Sequence, residues 1–293
     1  MSRHEPFPGI FADVNNIGSH LVKILWSGFY FALAFILINY FDHFITAFFA
    51  ALLEHKPSFS YDGVKPIAAA ASPWTLKRVA FIYLSAPLIC FFISAGLIIL
   101  LYKSYSNSHL SLFLFWLGFN AFALFYSYFF TGILGAGKYT SIFYTGFSLF
   151  LSWFYFSSGT IMFLMVLFIF LFSIASLAFA PIAMKYSYSS RLLKTRQGRI
   201  MIFINTVLFP FAAGIAIVEL TTYPLNLAYT LVRFCSISIL LIVLSLGMMR
   251  IKKSSSAIIQ NGGIRYVSPL YLLGAITLLA LTVRYGLTNL ISL

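Results

Sequence analysis

Two arginines stand among apolar residues: Arg233 within LAYTLVRFCSI and Arg284 within ALTVRYGLTNL. A guanidinium inside a hydrocarbon-soluble segment is costly and marks a functional site by default. Glu219 lies at the end of the apolar run before them, and alternating spans put all three at similar depth, so one carboxylate is expected to meet two guanidinium groups. Such a cluster keeps surplus positive charge, suited to an anion such as a lipid phosphate or a partner's carboxylate. The alternative is that the arginines snorkel separately toward water and hold nothing. A second polar group, Asp42 and His43, interrupts the first apolar run and reads as an interfacial pair where a span ends.

Other chemistries lack their residues. A helix presents two metal ligands on one face at i,i+3 or i,i+4, and His4, His20, His43, His55 and His109 include no such pair. There is no Cys-x-x-Cys, and Cys90 and Cys235 both fall in apolar runs, where a thiol is a small filler. GILGAGK at 132–138 lacks the spacing and hydroxyl of a phosphate loop and reads as a turn between spans. The serines within the runs carry no Gly-x-Ser-x-Gly element and read as packing and back-bonding groups. No metal and no cofactor is expected.

The stretch Asn39-Tyr40-Phe41-Asp42-His43, followed by FITAFFAALLEHKPSFSYDG, resembles the place where membrane-embedded zinc proteases of the site-2 protease family carry their His-Glu-x-x-His helix. SAPLICFFIS at 85–94 resembles the start of that family's next core span, and the resemblance covers about residues 40–150. With His43 as the first histidine, the motif requires Glu at 44 and His at 47, where this chain has Phe44 and Ala47. The family's later intramembrane Asp-Gly is also missing, since Asp62-Gly63 lies in an early loop. What the resemblance implies is a degenerate relative without zinc.

The elements that must position these residues follow from composition. The chain is 61% hydrophobic and 9% charged, with a mean hydropathy of +0.95, against about 25% charged residues in a soluble domain. Continuous apolar runs of about 20 residues, the length of a helix crossing a hydrocarbon core, occur at about 24–53, 79–102, 110–134, 139–157, 160–184, 200–220, 227–249 and 267–290. The sequence therefore predicts an all-α polytopic transmembrane bundle of about eight spans, with residues 1–23 as a polar arm and 24–293 as one domain. The first run is long enough to tilt, or to end near Phe41 and continue along the interface. The loop 54–78 carries the strongest turn signal, Asp62-Gly63, flanked by SFSY and VKPI as a short hairpin or a return toward the membrane.

If eight spans alternate, loops 54–78, 135–138, 185–199 and 250–266 share a side. They hold fourteen basic residues, against Arg3, Lys23 and Lys103 on the other. Basic loops mark the cytoplasmic side, which places both termini outside and accounts for the net charge of +13 without nucleic acid. By elimination the chain reads as a non-catalytic structural or docking subunit of a membrane or envelope complex, with lipids and other membrane subunits as partners, in a bacterial inner membrane. The alternative is a transporter or lipid-handling protein that binds an anionic group at Arg233 and Arg284.

Overall fold

A computed structural model of the chain describes residues 17–60, 63–68, 74–103, 108–138, 143, 146–186, 193, 195–222, 227–251 and 269–283. The first apolar run folds as one helix, α1 (Ile17–Leu52), of 36 residues, about 54 Å long at about 1.5 Å per residue. No Gly or Pro follows Gly28 within it, so its hydrogen-bond ladder continues through Asp42 and His43. The separate interfacial helix allowed for after Phe41 is not formed. Glu54, with φ 64°, turns the chain out of the helix. The hairpin follows, β1 (His55–Ser60) against β2 (Gly63–Ala68), antiparallel, with His55 opposite Ala68 and Ser60 opposite Gly63.

Next come α2 (Leu76–Lys103) and α3 (His109–Gly135). Ser108 starts α3 with a capping box: its side chain accepts from Ser111 N–H while the Ser111 side chain accepts from Ser108 N–H, both at 3.1 Å. Helix α3 is central, burying Trp116, Phe119, Ala123, Tyr126 and Phe129. The remaining helices are α4 (Gly146–Ser152), α5 (Ser158–Ala175), α6 (Ala180–Lys185), α7 (Arg196–Phe203), α8 (Phe209–Thr222), α9 (Leu227–Arg250) and α10 (Pro269–Leu281). A 3-10 turn, Ser176–Phe179, joins α5 to α6, and a π turn, Ile204–Leu208, joins α7 to α8. The π turn precedes Pro210, which has no N–H to bond back to residue 206.

Among the described residues, six helices are long and apolar enough to cross a membrane: Leu21–Leu52, Leu76–Lys103, His109–Gly135, Ser158–Lys185, Arg196–Thr221 and Ala228–Arg250. The chain thus has the helices of a multi-pass membrane protein; among the described residues six, against the eight expected, are of spanning length. The run 139–157 forms no crossing helix. Its helical part, α4, has seven residues, about 10 Å at about 1.5 Å each, entered through Gly146 at φ 56° and left through a turn in which Tyr155 has φ 58°. Left-handed backbone at both ends limits α4 to two turns, packed against α2, α3 and α5. The run 267–290 is helical from Pro269 to Leu281, and Arg284 with all that follows lies outside the described residues.

Losing one crossing reverses every later helix. Helix α5 begins where α3 ends, since a Cβ at Gly137 would collide with Ser158. Its continuation returns to the far end, where Lys185 Nζ donates to the carbonyls of Leu101 at 2.7 Å and Tyr102 at 3.0 Å, and Tyr186 Oη donates to Ser111 O at 2.8 Å. Arg199 there donates to Met249 O at 3.1 Å, and Tyr30 of α1 is 2.9 Å from His109 Nδ1. One end of the bundle therefore holds the start of α1, the ends of α2, α6 and α9, and the starts of α3 and α7. The other holds the hairpin, α4, the end of α3 and the starts of α5 and α9. The described parts of 54–78 and 135–138 lie at one end, and those of 185–199, with Arg250, lie at the other, so the expected sharing of one side does not occur.

Candidate functional site

On α1, Asn39, Asp42 and His43 stand at i, i+3 and i+4, the spacing that puts side chains on one helix face. That face turns inward: Asp42 is 7% exposed. Tyr128 of α3 lies across its carboxylate, the hydroxyl 2.9 Å from Oδ1 and 3.1 Å from Oδ2. The short helix α4 helps seat that ring, because Gly146 packs so closely on Tyr128 that a Cβ there would strike it. The run expected to be a span instead supports the site.

Arg233 of α9 reaches the same place and is 4% exposed. Its Nη1 donates to Asn39 Oδ1 at 3.1 Å, and its guanidinium carbon lies 3.8 Å from the centre of the Phe35 ring, a cation–π contact. The Asn39 bond fixes the amide, turning Nδ2 toward His43 Nε2 at 3.4 Å. With Nε2 accepting, the imidazole proton sits on Nδ1, which faces Asp42 Oδ2 at 3.7 Å. A chain of polar contacts thus runs from Arg233 through Asn39 and His43 to Asp42 and Tyr128. At about 1.5 Å per residue, Asp42 lies about 15 Å from the end of α1, Tyr128 about 10 Å from the end of α3, and Arg233 about 9 Å from the start of α9. All three distances run from the hairpin end.

Two features of Arg233 matter chemically. Its charge and that of Asp42 act on each other, yet they do not close to the 4.0 Å of an ion pair. Its Nε and Nη2 are buried and have no hydrogen-bond partner among the described residues. Those two atoms form one edge of the guanidinium, the edge that presents two parallel N–H donors to a carboxylate or phosphate.

The residues singled out in the sequence are thus regrouped. Arg233, expected with Glu219, meets the Asn39–Asp42–His43 face. Glu219 is half-buried on α8 and makes no ion pair with Arg233. The physical reason is packing: α8 lies along α1, whereas α9 packs on α3 and on the elements from α5 to α7. Arg284 lies outside the described residues. Asp42 and His43 stand within an uninterrupted helix, not at a helix end. Asn39 was legible, sharing a face with Asp42 in an apolar helix, but Tyr128 was one tyrosine of 18 with nothing in its neighbours to distinguish it. Among the described residues no group of three or more His, Cys, Asp or Glu is placed to hold a metal ion.

No family model, no curated protein and no solved structure matches the chain.

Proposed function

We propose that this is a multi-pass protein of the cell membrane that binds an oxyanion inside its helical bundle, as a transporter or lipid-handling protein, with no catalysis assigned to it. The observation that carries the reading is the unpartnered Nε and Nη2 edge of buried Arg233. A buried donor without a partner costs about 1–3 kcal/mol, more when charged, and a two-oxygen anion would satisfy both donors at once. The reading as a docking subunit rests on elimination, and the surface open to it is an outward face such as that of α5, where Phe163, Val166, Phe170 and Ile174 are exposed. Lipid alone satisfies such a face, but it does not account for the fork.

The test is binding by the purified chain in phosphatidylcholine nanodiscs, read as the thermal shift with dimethyl phosphate or acetate, since a ligand bound to the folded state stabilises it by mass action. Arg233→Gln is expected to abolish the shift. Arg233→Lys is expected to weaken it at least about tenfold, because an ammonium keeps the charge without the planar fork. Equal binding by Arg233→Gln would sink the reading.

Sidedness follows from the regrouped ends. Among the described residues the end at the start of α1 has Lys23, Lys103, Lys185, Arg196, Arg199 and Arg250; in sequence, Arg191 and Lys194 fall between α6 and α7, both of which meet that end, and Lys252 and Lys253 directly follow Arg250. The hairpin end has Lys56, Lys65, Lys77, Arg78 and Lys138. Ten against five supports a cytoplasmic first end, the orientation opposite to the one expected from eight spans, with the polar site nearer the outer face. A bacterial inner membrane remains the proposed location. In intact cells a membrane-impermeant thiol reagent is expected to label Lys138→Cys, and to label Arg196→Cys only after permeabilisation. The opposite pattern would overturn this topology.

A further inference from the structure

The oxyanion site proposed above already contains a carboxylate. Asp42 and Arg233 are one negative and one positive charge, both buried, acting on each other without contact. A second anion on the free edge of Arg233 would leave two negative charges facing one positive charge away from water. Excess charge in such a place is expensive, and the group that carries it neutralises instead.

The geometry says which group can. The titratable and charged groups facing Asp42 are His43 on its own helix, Tyr128 from α3, Cys90 from α2 and Arg233 from α9. Glu219, the carboxylate of α8, is not among the groups acting on it. Tyr128 donates to Oδ1 at 2.9 Å, a bond that survives protonation of the other oxygen. Oδ2 is 3.7 Å from His43 Nδ1, and His43 is partly exposed, so this imidazole links the buried oxygen toward the surface. Arg233 must keep its charge to hold an anion, and Tyr128 already carries its proton. Cys90 is a thiol that already carries its proton, and a proton added to His43 would fall on Nε2, which accepts from Asn39 Nδ2 at 3.4 Å, so Asp42 is the group left to change.

Resting on the reading that Arg233 binds an oxyanion, we propose that the anion enters together with one proton, taken from water and carried by Asp42 Oδ2. The empty site holds ionised Asp42 opposite Arg233. The filled site holds neutral Asp42, hydrogen-bonded to Tyr128, and an ion pair between Arg233 and the bound carboxylate or phosphate. Net charge in the bundle is the same in both states, which lets an anion come and go without stranding charge in the membrane.

Isothermal titration of the full chain in phosphatidylcholine nanodiscs, repeated in two buffers of different ionisation enthalpy, counts the protons. Dimethyl phosphate is the probe, having no proton of its own to exchange at neutral pH. One proton taken up per anion is expected, with affinity falling about tenfold for each pH unit of increase. Asp42→Asn is expected to bind the probe with no uptake and a flat pH profile. If a lipid headgroup is the natural occupant, the same pH-dependent stabilisation appears on exchanging phosphatidylcholine for phosphatidylglycerol, and the soluble probe then adds nothing. Binding without proton uptake, or uptake that persists in Asp42→Asn, overturns the coupling and leaves the anion site standing. No binding in either arm removes the anion reading itself. Should Asp42→Asn fail to fold, His43→Gln makes the distinction: uptake survives there if Asp42 is the acceptor, and its loss overturns the assignment.

Discussion

Asp42→Leu is expected to destabilise the protein by about 3–5 kcal/mol, the scale for removing one member of a buried charged pair. Among the described residues Asp42 is the carboxylate whose charge acts on Arg233, and without it a guanidinium that is 4% exposed loses its compensation. Leucine also discards the two contacts from Tyr128, leaving that hydroxyl without its acceptor. The double variant Asp42→Leu, Arg233→Met is expected to recover much of the loss, because replacing both partners of a buried pair with apolar side chains is often neutral or stabilising. Unfolding of the three variants in mild detergent gives the coupling directly. Strict additivity would show that the two charges do not act as a unit. Glu219→Gln, which the sequence alone ranks as the damaging change, is expected to stay within about 0.5 kcal/mol of the parent, as is usual for substitutions that break no buried network.

The second large effect lies far from the charges, where α1 and α8 touch backbone to backbone. A Cβ at Gly28 would stand 2.9 Å from Ala213 Cβ and 3.0 Å from Pro210 O. One at Gly214 would meet the Phe31 ring and stand 2.9 Å from Gly28 O. Small residues permit this approach, and dispersion across the contact holds membrane helices together in the absence of a hydrophobic force. Gly28→Leu is expected to cost about 3 kcal/mol or more, at the upper end for overpacking, because backbone atoms on the facing helix cannot rotate away. Since α1 carries Asn39, Asp42 and His43, forcing it outward is also expected to reduce anion binding several-fold, whereas Gly96→Leu, with nothing within 4 Å of its Cβ, leaves both unchanged. Loss of stability in Gly96→Leu as large as in Gly28→Leu would show that α1–α8 contact is not the cause.

The polar site was half legible. Each of its charged members stands out in an apolar run, and Asn39 shares a face with Asp42 by spacing alone. Their assembly was not legible, because chain neighbours are not packing neighbours here. Helix α9 follows α8 in sequence, yet the two do not pack closely, whereas α1 and α9 both pack on α3, and Arg233 reaches across 194 positions to Asn39 of α1 rather than to Glu219. Tyr128 had no signal of its own, and only the fold shows that its hydroxyl meets a carboxylate.

Hydropathy by itself determined that the chain forms long apolar helices, because that property is a sum over residues and needs no partner: six of the expected runs are helices of spanning length. It did not determine whether 139–157 crosses. That run is apolar enough to span, and its course is decided by left-handed backbone at Gly146 and Tyr155 and by packing of α4 against three neighbours. The tertiary structure thereby fixed which loops share an end, and with them where the basic residues gather. It also decided which acid faces which arginine, since a buried charge takes its partner from whatever helix is packed beside it, and packing order is not written along the chain.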